Sequence, residues 1–287
     1  TERLHRAEKM ESLGILAGGI AHELNNILGI LVGYAEMVMM KMPDEEPLKK
    51  HMHNIIKSSE RATSIIQDMQ ILAGRGVRVS KVIDLNHLLD NVFRTPEFER
   101  MRAAHAGVRF TSQPGGNLLR IQGSPSYLEK TIQNLVEFAA DDAARNGEVI
   151  IRTSNIYLDR PLSGYSDVRE GEYVCLTISD PGPAIPSGHV NKIFEPFYTK
   201  KVMGRGKTGL ELAVVWGTVR DHRGYIILDT APGQGNTFTL YLPATRETSA
   251  EEYQATSPVE AGTSPGASIL VVDDMPEQRE VAAGLLE

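Results

Sequence analysis

Cysteine is nearly absent from this chain. Cys175 is the single one among 287 residues, so no intrachain disulfide forms and a Cys-x-x-Cys metal site is excluded. Its thiol lies in the apolar run YVCLTI, residues 173–178, where a buried, inert side chain is expected. Long apolar runs are lacking too. None reaches the ~20 residues that a membrane helix needs, and no membrane contact is expected within this sequence. A secretory signal pattern is missing; the first residues belong to a charged helical pattern instead. Nor is there an excess of basic charge. Lys and Arg number 30 against 37 Asp and Glu, a formal net charge of −7, which argues against a general binder of nucleic acid or anionic lipid. A reducing, cytoplasmic setting fits, with any membrane anchor placed upstream of residue 1.

What is present begins with helix. Leu13, Ala17, Ile20, Leu24, Ile27, Leu31, Tyr34 and Val38 are spaced alternately by four and three, the a/d seam of a heptad. Pro43-Asp44-Glu45-Glu46-Pro47 breaks the helix and puts acids at the start of the next. A second seam follows through Leu48, Met52, Ile55, Ser59, Ala62, Ile66, Met69 and Ala73, and Gly74 and Gly76 end it. Residues 1–76 are thus expected to form an antiparallel helical hairpin. Its seams are buried either in a dimeric four-helix bundle or against the chain's own C-terminal part; the expectation is the dimer.

Residues 81–245 mix strands and helices. KVIDL, VRFTS, LLRIQG, GEVIIRTSNIYL, GEYVCLTISD, YIILDT and NTFTLYLP read as strands. Residues 124–145 read as a helix opened by Ser124 as cap and Pro125 at its first position. Residues 208–222 read as an apolar helix. The pattern predicts an α/β sandwich, helices over one face of a mixed sheet. Residues 246–267, rich in Ser, Thr, Ala, Glu, Pro and Gly, read as a flexible linker. Residues 268–287 start a strand–turn–helix unit too short to fold alone, the expected beginning of a further domain.

One histidine stands out by position. With Ala17 at a and Ile20 at d, His22 falls at f, away from the seam, with Glu23 beside it and Asn26 one turn on. Such a residue is either an ordinary surface histidine or a nucleophile whose proton the neighbouring carboxylate takes. Periodicity leaves both open.

The stretch GGIAHELNNIL, residues 18–28, resembles the H-box of two-component sensor histidine kinases, in the form common among hybrid kinases. The resemblance implies that His22 is the phosphoacceptor, that Glu23 assists proton transfer, and that Asn26 positions a water in the reverse, phosphatase reaction. Further motifs follow in the family's order. TISDPG resembles the approach to the first glycine box, IFEPFYTKK the F-box before an ATP lid, GLELAVVWGTVRDHRGYI the second glycine box with its helix, and APGQGNTFTLYLP the last hairpin. ILVVDD is similar to the start of a receiver domain, with Asp273 and Asp274 as its acidic Mg²⁺ pair and its phosphoacceptor aspartate beyond residue 287. The implied architecture is a helical hairpin forming a dimeric four-helix bundle, followed by an α/β sandwich of the GHKL ATPase type. The implied cofactors are ATP and Mg²⁺. The implied partners are a second copy, held through residues 1–76, and a receiver domain, the chain's own or that of a response regulator.

The ATP motifs depart from the family pattern. The family holds Mg²⁺ with oxygen ligands from two asparagines on a helix. Here that helix reads NLVEFAADDA: Asn134 is kept as a weak metal ligand, but the second position is Phe138, which has no donor oxygen. Asp141 stands where the family often has Lys, Arg or Glu. In the first glycine box Asp180, whose family counterpart receives the adenine amino group, and Gly182 are kept. Ala184 replaces the second glycine, and Pro181 and Pro183 remove backbone N–H groups. In the second box Thr208, Gly209 and Leu210 are kept, while Lys207 and Glu211 replace glycines that let backbone N–H groups approach phosphate. A carboxylate about 4 Å from one phosphate charge costs about 4 kcal/mol near a protein surface; an inward Lys207 offsets part of that. The expectation is a pseudokinase-like transmitter that keeps His22 and binds Mg²⁺–ATP poorly. The alternatives are an active autophosphorylating kinase with unusual loops, and a phosphotransfer, phosphatase or receiver-docking module.

Gly206-Lys207-Thr208 is not a P-loop, because the required earlier glycine is Lys201. His51 and His53 do not share a helix face. His5, His87, His105, His189 and His222 show no ligand spacing and are expected at the surface.

Overall fold

The computed structural model describes residues 2–43, 47–72, 81–143, 147–162, 168–190, 192–198, 208–247, 270–272 and 275–286, with the side chains of 2–20, 22, 285 and 286 outside that description. Lys207, Asp273, Asp274, Gly74, Gly76 and most of the expected linker fall outside it. Among the described residues no helix is long and apolar enough to cross a membrane. The chain divides into two compact units.

The helical unit is built on α1 (Glu2–Lys41) and α2 (Leu48–Leu72), separated where Pro43 and Pro47 forbid helix. Four described residues of the α1 a/d seam stand in solvent. Leu24, Ile27, Leu31 and Val38 are 40%, 48%, 47% and 40% exposed. Among the described side chains of α1 the buried ones are Ala21 and Ala35, both at heptad position e, and Gly33 is buried beside them. On α2 Leu48 and Ile55 are exposed, whereas Ser59 and Ile66 are buried. An open cleft of about 580 Å³ lies between Leu28 of α1 and His51, Asn54, Ile55, Ser58 and Ser59 of α2.

The α/β unit runs β1 (Lys81–Ile83), α3 (Leu85–Phe93), α4 (Pro96–Ala104), β2 (Arg109–Gln113), β3 (Arg120–Gly123), α5 (Pro125–Asp142), β4 (Glu148–Leu158), β5 (Gly171–Asp180), α6 (Ser187–Val190), α7 (Glu211–Asp221), β6 (Tyr225–Ala231) and β7 (Gly235–Thr245). The sheet order is β1-β3-β7-β5-β4-β2, with β6 also pairing β7. Among the described strands only β2 and β4 pair in parallel; the other ladders are antiparallel. β7 is long enough to serve two neighbours along one edge: residues 235–241 pair with β6, and Ala244 and Thr245 with β3. Its hairpin with β6 turns at Ala231-Pro232-Gly233-Gln234, closed by Gln234 N–H to Ala231 O and with Gly233 at φ +77°, which suits a proline–glycine turn.

One face of the sheet carries the main core. Val174, Leu176 and Ile178 of β5 and Phe238, Leu240 and Leu242 of β7 meet Leu128, Ile132, Leu135, Val136 and Ala139 of α5, the last set spaced by three and four along one helix face. The opposite face is not wholly solvated. Leu162 and Val168 pair in an isolated antiparallel bridge and lie against it. Leu158, Val168, Tyr173 and Cys175 are buried there, with Tyr225 and Tyr241 edge-on to Tyr173. YVCLTI is therefore apolar on both faces. Burial pushes the Cys175 thiol up to about 12, the inert state expected of it.

Three sequence expectations are corrected. Ser124 takes the cap position of α5, but its side chain makes no cap hydrogen bond; its hydroxyl meets Ser126 Oγ instead. The helix expected from 208 begins at Glu211, because Gly209 at φ +74° is outside helical geometry. The strand expected at ILVV does not form over Leu270–Val272, where Leu270 and Val272 are 86% and 81% exposed with no ladder partner. The next element is a helix, α8 (Pro276–Leu286), and it packs against α1 in the helical unit. A Cβ on Gly33 would lie 2.2 Å from Val281 Cγ1, and one on Gly284 would lie 2.2 Å from Met37 Cε. Tyr34 OH donates to Glu280 Oε2 at 2.9 Å between them.

Candidate functional site

His22 sits on α1, past its middle. Glu23 is exposed and Asn26 half-buried, so the two flanking residues of the H-box differ in their surroundings. They share a helix with Leu24 and Ile27, both exposed.

In the α/β unit the retained and altered motif residues converge on the ends of α5, β5 and α7. Asp180 ends β5 and is almost fully buried, 3% exposed. Its Oδ1 accepts the Gly182 N–H at 2.8 Å and the Asn236 amide at 3.0 Å. Gly182 admits no side chain: a Cβ there would lie 2.5 Å from Asp142 O and 2.6 Å from Asp180 Oδ1. Ala184 is not among the residues with positive φ, so the change from glycine costs no backbone strain. Asn236, 0% exposed, ties the loop together: it also donates to Pro183 O and accepts from Thr230 Oγ1, which in turn accepts the Ile185 N–H. Sequence reasoning missed Asn236 and Thr230. Their only signal was polarity at the ends of otherwise apolar strands.

Asn134 is buried on α5 and donates through Nδ2 to the Glu211 carbonyl at 3.1 Å. Phe138, one turn later, turns its ring into the core. It meets Phe238 edge-on at 5.5 Å, and Phe238 meets Phe194 of the F-box edge-on at 6.4 Å. Asp141 does not stand alone: its Oδ1 lies 2.9 Å from His105 Nε2, while His105 Nδ1 lies 2.9 Å from Met101 O. This pair fastens the end of α4 to the end of α5, so His105 is only partly at the surface. His222 departs further from expectation. It is buried at 7% exposure, accepts the Ser124 N–H on Nε2 and donates from Nδ1 to Thr218 O. Burial lowers its pKa, against smaller opposing effects of the Thr218 hydrogen bond and Asp221.

At the start of α7 the side chain of Glu211 folds back. Its Oε1 accepts the Thr208 N–H at 2.9 Å and the Thr208 hydroxyl at 3.2 Å. The same hydroxyl accepts the Leu210 N–H at 3.2 Å. Gly209 is required at this turn: its φ is +74°, and a Cβ would lie 2.7 Å from the backbone of Phe197, whose N–H donates to Gly209 O. Leu210 is fully buried.

A magnesium ion needs near-octahedral oxygen ligation. One turn after Asn134 the half-buried Phe138 ring packs on Phe238 and offers no oxygen, whereas Asn134 spends only its Nδ2 on the α7 backbone and its Oδ1 is not part of that bond. Among the described residues no group of three His, Cys, Asp or Glu is placed to hold a metal. Asp180, by contrast, is held in place by two donors on its Oδ1.

Residues 12–74 match the family His Kinase A (phospho-acceptor) domain, and residues 123–246 match Histidine kinase-, DNA gyrase B-, and HSP90-like ATPase. The sensor kinase CckA of Brucella abortus is 30% identical over 242 residues, 84% of this chain and 25% of that protein. The sensor histidine kinase ZraS of Escherichia coli K12 is 27% identical over 242 residues, 84% of this chain and 48% of that protein. The chain thus spans a quarter to a half of the length of these curated relatives. Among solved structures, full-length ShkA in complex with AMPPNP superposes with a TM-score of 0.61 at 19% identity, over 81% of this chain and 46% of that one. That likeness shows the fold: helices followed by the mixed α/β sandwich of GHKL ATPases.

Proposed function

We propose, from the premise that this chain carries the transmitter core of a sensor histidine kinase of two-component signalling, that His22 is its phosphoacceptor and that its own ATP-dependent phosphorylation is weak or absent. The observation that carries the second half is the Phe138 ring, seated against Phe238 at the helix position where the family places a metal-bearing asparagine. The carboxylate of Glu211 at the start of α7 supports it. When bound in this family, ATP with Mg²⁺ supplies the phosphoryl group. The chain's own contributions are a nucleophilic imidazole on His22, Glu23 to take its proton, and Asn26 to place water for the reverse hydrolysis. A second copy docks on the exposed seam of α1, where Leu24, Ile27, Leu31 and Val38 need cover.

The test is incubation of the chain with Mg²⁺ and γ-labelled ATP. No acid-labile label is expected. Robust label that disappears in His22→Ala would establish the alternative, an active autophosphorylating kinase with unusual loops. Micromolar affinity for Mg²⁺–ATP by calorimetry would point the same way.

One observation favours a second reading, in which the helical unit exchanges phosphate with a receiver. α8, where the sequence resembles the opening of a receiver domain, lies on α1 at Gly33, Tyr34 and Met37. That is three to four turns past His22, the reach of a docking face beside a phosphoacceptor. Gly33→Leu should displace α8 and raise hydrogen exchange across residues 276–286; unchanged exchange would remove this support.

A further inference from the structure

We propose that Glu211 is a self-docked anion that holds the donors at the start of α7 and thereby sets the nucleotide affinity of this domain. The proposal rests on the reading of the domain as a degenerate ATP site and names what blocks its phosphate side. Three donors surround the turn: the Thr208 N–H, the Thr208 hydroxyl and the Leu210 N–H. All are engaged internally, two of them directly on Glu211 Oε1 and the third through the Thr208 hydroxyl. A helix N-terminus with such donors attracts negative charge, and here the chain supplies that charge itself.

The turn is also fixed from outside. Asn134, buried on α5, donates to the Glu211 backbone carbonyl. The Phe197 N–H donates to Gly209 O, and the contact between those backbones leaves no room for a Cβ at Gly209. Leu210, fully buried, anchors the turn in the core. A triphosphate would therefore have to displace a carboxylate from its partners while meeting its negative charge. Thr208 and Gly209, retained from the family motif, keep a geometry that phosphate would use once the carboxylate is gone. Glu211 acts on affinity through these donors rather than by touching a reacting atom.

The experiment titrates the full chain with metal-free ATP, Mg²⁺–ATP and adenosine, for the natural sequence, Glu211→Gly, Glu211→Gln and Phe138→Asn, with thermal melting to confirm folding. Glu211→Gly should bind metal-free ATP at least fivefold more tightly than the natural chain, with adenosine affinity unchanged. A folded Glu211→Gly with less than a fivefold gain, or one that gains equally for adenosine, overturns the proposal. Glu211→Gln keeps an acceptor for Thr208 but loses the charge. It should gain at least twofold, and a smaller gain overturns the proposal even where Glu211→Gly fails to fold. Micromolar Mg²⁺–ATP binding by the natural chain would overturn the degenerate-site reading and this proposal with it. Weak binding that only Phe138→Asn restores would leave that reading standing and remove the role of Glu211.

Discussion

His222 shows how much a single residue's surroundings decide. Its Nε2 accepts a backbone N–H, so the buried ring must stay neutral. The folded pKa is lowered by burial, whereas the unfolded chain takes up a proton near pH 6.5. Below that pH the unfolded state binds more protons, so stability falls as the solution is acidified, down to the folded pKa. Urea unfolding at pH 7.5, 6 and 5 should show this loss, and His222→Gln, which can still accept from Ser124, should flatten it. A slope unchanged by the substitution would assign the acid sensitivity elsewhere. Gly123 belongs to the same contact: a Cβ there would lie 2.1 Å from His222 Cδ2. Gly123→Ala should cost about 1–3 kcal/mol, the range for overpacking a tight interior. Phe138 is only half-buried, so Phe138→Ala should cost roughly 2 kcal/mol, below the ~3–5 kcal/mol of a fully buried phenylalanine. Both costs are read from urea midpoints.

Among the elements, α1 carries the sharpest expectation. An apolar row exposed along a helix marks an interface, and Leu31 lies near the middle of the row formed by Leu24, Ile27, Leu31 and Val38. Leu31→Asp should convert a dimer into a monomer in light scattering after gel filtration; a natural chain already monomeric at micromolar concentration would refute the interface. That row was legible in the sequence because heptad spacing is local. So were the long strands β4, β5 and β7 and the helix α5, each with a period sustained over several turns or pleats. α3 and α4, nine residues each, escaped notice because so short a segment offers barely two turns of pattern. The surface expectation for His222 failed for a different reason: its partner Ser124 is 98 positions away. The network of Asp180, Asn236 and Thr230 likewise joins residues that only the sheet register brings together. Glu211 was visible as a charge in a glycine's place, but its grip on Thr208 depends on a turn whose geometry no spacing rule gives. The strand expected at ILVV lacks any neighbouring strand among the described residues, and a strand without a ladder has nothing to satisfy its backbone.

At the scale of the whole molecule, two units carry signals of opposite sense. The helical unit keeps the H-box residues His22, Glu23 and Asn26, while on the proposed reading the α/β unit presents the Phe138 ring and the Glu211 carboxylate where metal and phosphate would sit. If, as proposed, His22 is a phosphoacceptor cut off from its own ATP, it remains useful where phosphate reaches or leaves it through an aspartyl phosphate. On that proposal the imidazole of His22 would attack the acyl phosphate, the aspartate carboxylate would depart and Glu23 would take the ring proton; in hydrolysis, water placed by Asn26 would attack instead. The two routes separate experimentally. A receiver domain charged with a small-molecule phosphodonor, then mixed with the full chain, should lose its phosphate faster than alone. Transfer would put acid-labile label on the chain and vanish in His22→Ala. Hydrolysis would release inorganic phosphate and slow about 10²-fold in Asn26→Ala, the lower end of the ~10²–10⁴-fold that a positioned catalytic group contributes. A receiver half-life that the chain leaves unchanged, for every receiver with which it co-purifies, would exclude both routes. The α8 contact on α1 would then be a packing arrangement with no part in phosphate exchange.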